Sequence, residues 1–452
     1  MISSKCFPLA ICAALLFASP GLAQTAVPEV CTAATEKPPY VVSDGQGRLY
    51  SQLTLGTDFS AATLVPDLRE LERRLQNLGI ELVVVPVPWA AMLYFPESLV
   101  GTPGTFHYSP LLARLGYWQV IENFRKAGIN IIDLLTPFLA HQTQDLYFKT
   151  DHHWKLPAVE LAARSVTDAV PRPVKQALAT VGQPEEVPPV FQGRFQFLGG
   201  FAVPVERLCK FTFPSEETFA TIALPEPSQN LISDDLPGGV IFGSSFSRSV
   251  TTNQGINPYA LGYGFEQWLI SLLHTDFQNE SISGGSETSM LELFGDPANV
   301  AKRRLAIWEF PISDFATENK EHNQTFLAQM MARLSRLSNP VERPVASGRP
   351  VVTGNEVVFS FDPLPSTGAR LYFQLKLGKA TALSPVVKIE GERGTAQLDL
   401  RRDGNKLIQA KEFLAEVPVN VGRLRQITVT FPTSTETPVV LNDGVLQLFN
   451  LK

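Results

Sequence analysis

Positive charge, long apolar runs, histidine and cysteine are all scarce in this 452-residue chain. Charged residues make up 18%, and 38 Lys and Arg against 44 Asp and Glu leave a net charge of −6. That balance excludes a general nucleic-acid binder, which needs Lys and Arg to displace counterions from phosphates. Past residue 23, no apolar run reaches the ~20 residues that cross a bilayer, so the processed chain is expected to be soluble. What is plentiful is apolar: hydrophobic residues make up 44%, too many for disorder. A chain of this length is expected to form two or three compact units with sizeable cores.

Residues 1–23 read as a signal peptide. Lys5 supplies the positive start, Phe7 to Ala18 an apolar stretch too short to span, and Gly21-Leu22-Ala23 a small-residue cleavage site before Gln24. Removal of this segment takes Cys6 and Cys12 with it and leaves Cys31 and Cys209, an even pair in an exported protein. One disulfide between them is expected, closing a loop long enough that chain entropy alone allows about 4–5 kcal/mol.

Four short β-rich apolar runs read as buried strands: Leu82–Val87, Ile129–Leu134, Val240–Gly243 and Leu305–Phe310, with Glu280–Ser283 a further short one. Helical patterns lie between them at Pro66–Leu78, from Ser109-Pro110 to near Gly128, and at Ala158–Val170, Phe265–His274 and Gln324–Leu337. This alternation predicts an α/β unit, a parallel sheet flanked by helices. Residues 171–215, rich in proline and phenylalanine, read as an irregular insertion, and 338–350 as a linker. Beyond it, alternating runs at Val357–Phe361, Arg370–Leu377, Val386–Glu390, Ala396–Leu400, Val419–Val421, Ile427–Phe431 and Val445–Leu451 predict an all-β sandwich over 345–452. That segment carries +3, against −10 for residues 24–344.

Two segments carry chemistry. In Thr150-Asp151-His152-His153-Trp154, a carboxylate two residues before an imidazole can orient the ring and stabilise its cation, as a general base requires. Asp151 capping a turn, or the histidines binding a metal, are the competing readings. No second His, Asp or Glu cluster at ligand spacing accompanies them, so neither metal nor cofactor is expected. In Gly239–Ser249, an apolar strand runs into Gly243, Ser244 and Ser245, where a parallel sheet presents its C-terminal edge to a ligand. A serine there becomes a nucleophile beside a base and backbone N–H donors, although Gly-Ser-Ser can equally cap a strand-to-helix turn. Glu309, ending the Leu305–Phe310 strand, can contact substrate or back the histidine, although an acid at a strand end more often bonds nearby backbone. Ser244, Arg248, Asn253 and Tyr263 are candidate oxyanion or substrate contacts.

These features together resemble a family. The signal peptide, Asp151-x-His153-Trp154, Gly243-x-Ser245-Phe246-Ser247, Trp308-Glu309-Phe310-Pro311 and the C-terminal β-sandwich, in that order, resemble the periplasmic alginate O-acetyltransferases of the AlgX and AlgJ type. The resemblance implies an SGNH-hydrolase-like domain over 24–340 and a carbohydrate-binding module over 345–452. By its pattern, Ser245 is the nucleophile, His153 the base and Asp151 its partner, and Cys31 and Cys209 fall where the family has a disulfide. It further implies an anionic polysaccharide as substrate, a membrane-bound acyltransferase and other export proteins as partners, and a monomer in the periplasm. Lys376, Arg401, Arg402, Lys406, Arg423 and Arg425 are the candidates to hold such a polymer, against the commoner role of any one of them as a solvated surface charge. The chain departs from the family in lacking a second cysteine pair and in about ten extra residues at 250–259. Two other readings stay open: a polysaccharide acetylesterase using the same triad, and a non-catalytic scaffold that binds polysaccharide in an export complex.

Overall fold

The computed structural model describes residues 36–37, 40–44, 47–59, 61–96, 108–178, 193–220, 238–248, 264–284, 286–338, 343–361, 370–377, 382–383, 385–400, 409–410, 412–432 and 445–451. The proposed signal peptide, Cys31, Asn253, Tyr263, Arg401, Arg402 and Lys406 lie outside them.

The first unit is built on four parallel strands: β1 (Glu81–Val87), β2 (Gly239–Phe242), β3 (Phe277–Asn279) and β4 (Leu305–Pro311), in the order β1-β4-β2-β3. Strands β2 and β4 are central, and every residue of β2 is buried, as a strand covered on both faces must be. Helices α1 (Val65–Asn77), α2 (Ala90–Tyr94), α3 (Pro110–Lys126), α4 (Leu156–Ala169), α6 (Phe265–Leu273), α7 (Ser286–Leu293) and α8 (Lys320–Ser338) share the core of the sheet, while α5 (Ala202–Cys209) packs in a separate cluster with Val41, Leu49 and Phe213. Their starts follow local chemistry: Ser109 accepts a hydrogen bond from the Leu112 N–H, with Pro110 in the first turn of α3. Among the described residues, no helix is long and apolar enough to cross a membrane.

Three segments differ from the sequence expectation. The run 129–134 lies beside β1 but forms only one bridge, Ile131 to Val84. It leaves the sheet at once because Asp133 accepts from the Thr136 N–H and starts the short helix Leu135–Ala140. The strand expected at Glu280–Ser283 falls instead at Phe277–Asn279. The insertion is ordered where described: Gly193–Phe197 pairs antiparallel with Glu216–Ala220, and α5 lies between them. Cys209, closing α5, is disulfide-bonded.

The C-terminal strands are β5 (Ala346–Thr353), β6 (Glu356–Ser360), β7 (Leu371–Lys376), β8 (Val386–Gly391), β9 (Thr395–Asp399), β10 (Glu412–Glu416), β11 (Leu424–Thr430) and β12 (Val445–Asn450). All pairings are antiparallel, in the order β9-β8-β11-β6-β5-β12-β7-β10. Strand β5, which begins inside the expected linker, joins the two halves: Ala346 to Gly348 pair with β12, and Arg349 to Thr353 with β6. Val419–Val421 is a 3-10 turn rather than a strand, because Pro418 and Gly422, at φ 72°, bound it. Phe359, Phe373, Ile389, Ile427 and Leu448 fill a core of their own. The outer face of β7, β10 and β12 places Tyr372, Leu414 and Phe449 in the hydrophobic core of the first unit. Arg336 on α8 pairs with Glu412 on β10 at 2.5 Å across the same junction.

Candidate active site

Strand β2 ends at Gly243, and the chain turns through Ser244, Ser245 and Phe246 at the C-terminal edge of the sheet, where open parallel sheets bind ligands. Gly243 admits no side chain. A Cβ there would lie 2.6 Å from Ser247 Cβ and 2.9 Å from Glu309 Oε2, and closer still to Ser281 Oγ. Its absence lets Glu309 approach from β4. The Ser244 N–H and hydroxyl donate to Glu309 at 2.8 and 2.9 Å, and the Phe246 N–H donates to Ser244 Oγ at 3.2 Å. Ser244 is thereby turned into the protein and Ser245 left at the rim.

The second loop, residues 147–154, is pinched at its base by the bridge between Tyr147 and Trp154. The Phe148 N–H donates to the His153 carbonyl at 3.1 Å. Glu216, the first residue of the inserted strand Glu216–Ala220, accepts from the Lys149 N–H at 2.6 Å and the Thr150 N–H at 3.0 Å. Gly199 packs so tightly that a Cβ would sit 2.7 Å from Thr150 Oγ1, and its N–H donates to that oxygen at 2.8 Å. The indole N–H of Trp154 donates to the Phe246 carbonyl at 2.9 Å and ties the two loops together.

The residues nominated as a triad are in mutual contact. Asp151 Oδ1 lies 2.5 Å from His153 Nδ1, and His153 Nε2 lies 2.7 Å from Ser245 Oγ. Asp151 Oδ1 also accepts from the His153 N–H at 3.0 Å, and its Oδ2 from the Gly200 N–H at 2.8 Å. Asp151 and His153 are buried, and Ser245 is half-buried. Burial alone would raise the Asp151 pKa, but the hydrogen bond and charge of His153, the nearby His152 and the Gly200 N–H outweigh it and hold Asp151 below the usual carboxylate range. This is the arrangement an imidazole needs to take a hydroxyl proton and bear the resulting charge.

The remaining nominated residues divide. Glu309 is fully buried and meets Ser244; burial pushes it up to about 7, against the pull of its serine hydrogen bonds. It backs the serine loop. Arg248 is half-buried at the end of the described loop. Of the basic residues expected to bind polymer, Lys376 lies 4.0 Å from Glu412, Arg423 lies 3.9 Å from Glu392, and Arg425 is exposed. Asp151, His152 and His153 lie close enough to share an ion. A metal on His153, however, would displace either Asp151 or Ser245, since both ring nitrogens are engaged. Gly200 and Glu216 escaped the sequence reading, because neither lies near the motifs in sequence.

A serine at the C-terminal edge of a helix-flanked parallel sheet, hydrogen-bonded to a histidine that an aspartate orients, is an arrangement shared by several serine-hydrolase folds, and the family model matched by the first unit makes it SGNH-hydrolase-like. The chain belongs to the AlgX family: residues 53–312, more than half of it, match the model described as SGNH hydrolase-like domain, acetyltransferase AlgX. It is 28% identical over 313 residues to the alginate biosynthesis protein AlgX of Pseudomonas aeruginosa, covering 67% of this chain and 59% of that protein. Against AlgX of Azotobacter vinelandii the identity is 27% over 303 residues, 65% of this chain and 58% of the relative. The probable alginate O-acetylase AlgJ of P. aeruginosa matches at 28% over 289 residues, 59% of this chain and 67% of AlgJ. The matches thus span about six-tenths of the length of the curated AlgX relatives. The solved structure of P. aeruginosa AlgX shares the fold, with a TM-score of 0.64 at 20% identity, covering 94% of this chain and 100% of that one.

Proposed function

We propose that the chain is a periplasmic O-acetyltransferase that acetylates an exported, alginate-like polysaccharide through an acetyl-serine intermediate. The observation that carries this reading is the continuous line of hydrogen bonds from Ser245 through His153 to Asp151. The alginate-related names of its relatives supply the substrate class.

In this mechanism the Ser245 hydroxyl gives its proton to His153 Nε2 as Oγ attacks the acetyl carbonyl of the donor. The oxyanion is held by the Ser245 backbone N–H, since the Ser244 and Phe246 N–H groups are committed to Glu309 and Ser244. The imidazolium, stabilised by Asp151, returns the proton to the leaving oxygen, and acetyl-serine remains. A sugar hydroxyl then gives its proton to the same nitrogen as its oxygen attacks the acetyl carbon, and His153 returns that proton to Ser245 Oγ as the acyl–serine bond breaks and the sugar ester forms. Transfer outruns hydrolysis when the acceptor is held in place of water.

The division into residues 1–23 as signal peptide, 24–340 as catalytic domain and 345–452 as polysaccharide-binding module belongs to this proposal. So do a Cys31–Cys209 disulfide, acetyl supply by a membrane-bound acyltransferase and binding of an anionic chain by the basic residues of 345–452.

Incubation with an acetyl ester and alginate oligosaccharide, followed by mass spectrometry, tests the reading. Expected are an acetyl adduct on Ser245 and a gain of about 42 Da on the sugar, one acetyl group replacing one hydroxyl hydrogen, both absent in Ser245→Ala. Release of free acetate with no gain on any sugar would convert the proposal into an esterase. Unaltered acetylation by Ser245→Ala would reject the triad.

A further inference from the structure

Beside the triad stands a group of aromatic rings for which proton transfer has no use. The His152 ring lies 4.0 Å from the His153 ring, 5.4 Å from Phe201, 5.8 Å from Trp89 and 5.9 Å from Phe246, measured between centroids. Trp89 follows β1 at the same sheet edge as Ser245, and its ring also lies 5.8 Å from Phe246. Its placement is firm: the Tyr147 hydroxyl donates to the Pro88 carbonyl, and the Met92 N–H to the Trp89 carbonyl. Trp89 is only 7% exposed, yet its indole N–H has no hydrogen-bond partner among the described residues. Buried tryptophan N–H groups ordinarily find one, so an unpaired donor bordering a reactive site marks a place where a ligand completes the set. Trp308 also buries an unpaired N–H, but its ring packs on Phe310, Phe315 and Phe326.

We propose that Trp89, His152 and Phe201 form the acceptor subsite, taking the pyranose ring whose hydroxyl is to be acetylated, with the Trp89 indole N–H donating to an oxygen of that sugar. The proposal rests on the acetyl-transfer reading for its choice of ligand. A sugar ring offers apolar C–H faces to aromatic rings and oxygens to a few fixed donors, the usual make-up of a small-molecule pocket. The acetyl group has one oxygen and one methyl, too little to use such a wall. Burial, helped by the neighbouring His153 and opposed by Asp151, pushes His152 down to about 4. At neutral pH it is uncharged and presents one donor and one acceptor, suited to hydroxyls.

Calorimetric titration of alginate oligosaccharide into the full chain carrying Ser245→Ala measures the subsite without turnover. Adding Trp89→Phe, which keeps a ring and removes the N–H, should weaken binding roughly tenfold, the equivalent of one hydrogen bond. In the Ser245 enzyme the same change should raise the acceptor KM by a similar factor, with kcat altered far less. His152→Gln should act in the same direction, and it carries the test if Trp89→Phe lowers the unfolding midpoint enough to prevent measurement. Unchanged affinity and KM in both variants, or no binding by the Ser245→Ala parent at millimolar oligosaccharide, would overturn the subsite. Binding that depends on Trp89 in a protein whose Ser245 never takes an acetyl group would reject the transferase and leave the subsite standing.

Discussion

Glu309 accepts hydrogen bonds from both the backbone N–H and the hydroxyl of Ser244, while Ser245, one residue on, faces His153. Two adjacent serines thus have opposite duties, and a buried acid at the end of the neighbouring strand separates them. Glu309→Gln substitutes a donor for one of the two acceptors. It should destabilise the fold by about 1–3 kcal/mol and lower kcat more than it changes acceptor KM. A pH signature accompanies it. Because burial raises Glu309 from 4.5 to about 7, the native state binds the extra proton between those values. Its contribution to stability is therefore full below pH 4.5, falls as pH rises and is gone above about 7. Urea midpoints across that window should show the decline, and the Gln variant should lack it.

Asp151→Asn leaves a side chain of the same shape but presents the wrong hydrogen-bonding partner to His153 Nδ1. A fall of about 10⁴ in kcat is expected, with the fold retained. Asp151 is held below its ordinary value, so the wild type keeps this stabilisation above pH 3.8 and loses it as pH falls further. Acid unfolding monitored by circular dichroism should be shallower in the variant.

Gly243→Ala forces a methyl group against Ser247, Ser281 and Glu309. Overpacking of this kind costs about 1–3 kcal/mol. The shift falls on the residue that precedes Ser244, so activity should drop further than the change in thermal midpoint implies, and labelling of Ser245 by an acyl probe should slow.

Glu216 touches no substrate in this scheme but accepts the two N–H groups that lead into Asp151, and Lys155 Nζ lies 3.0 Å from its other oxygen. As a positioning residue it should show its loss in kcat. Glu216→Ala is expected to lower kcat roughly tenfold and stability by about 1–3 kcal/mol, with partial rescue by Glu216→Gln, which keeps one acceptor. Unchanged kcat at reduced stability would make its role purely structural.

The meeting of Asp151, His153 and Ser245 was readable from sequence because each sits in a short motif after an apolar run, and parallel sheets bring such loops to one edge. Strands β1, β2 and β4 were readable because short runs dense in aliphatic and aromatic residues have few alternatives to burial. Gly200, Glu216 and Trp89 were not. Their importance comes from contacts to residues 49 to 67 positions away, for which one sequence holds no periodic signal. Residues 129–134 misled for a subtler reason. Their composition suits a strand, but Asp133 supplies a helix start that ends pairing after one bridge. Strand β5 hid behind the glycine and prolines of a linker-like stretch, and the charges of Lys376 and Arg423, visible in sequence, did not reveal the carboxylates beside them.

Tyr372, Leu414 and Phe449 lie on C-terminal strands yet belong to the core of the α/β unit. A chain that emerges in order from synthesis therefore builds its sheet of four strands first and holds an oily flank open until residues near 450 arrive. The interval between those events is one of vulnerability to aggregation. Deleting the C-terminal strands would prolong it indefinitely, so the α/β unit produced alone should be recovered poorly, whatever the completeness of its triad.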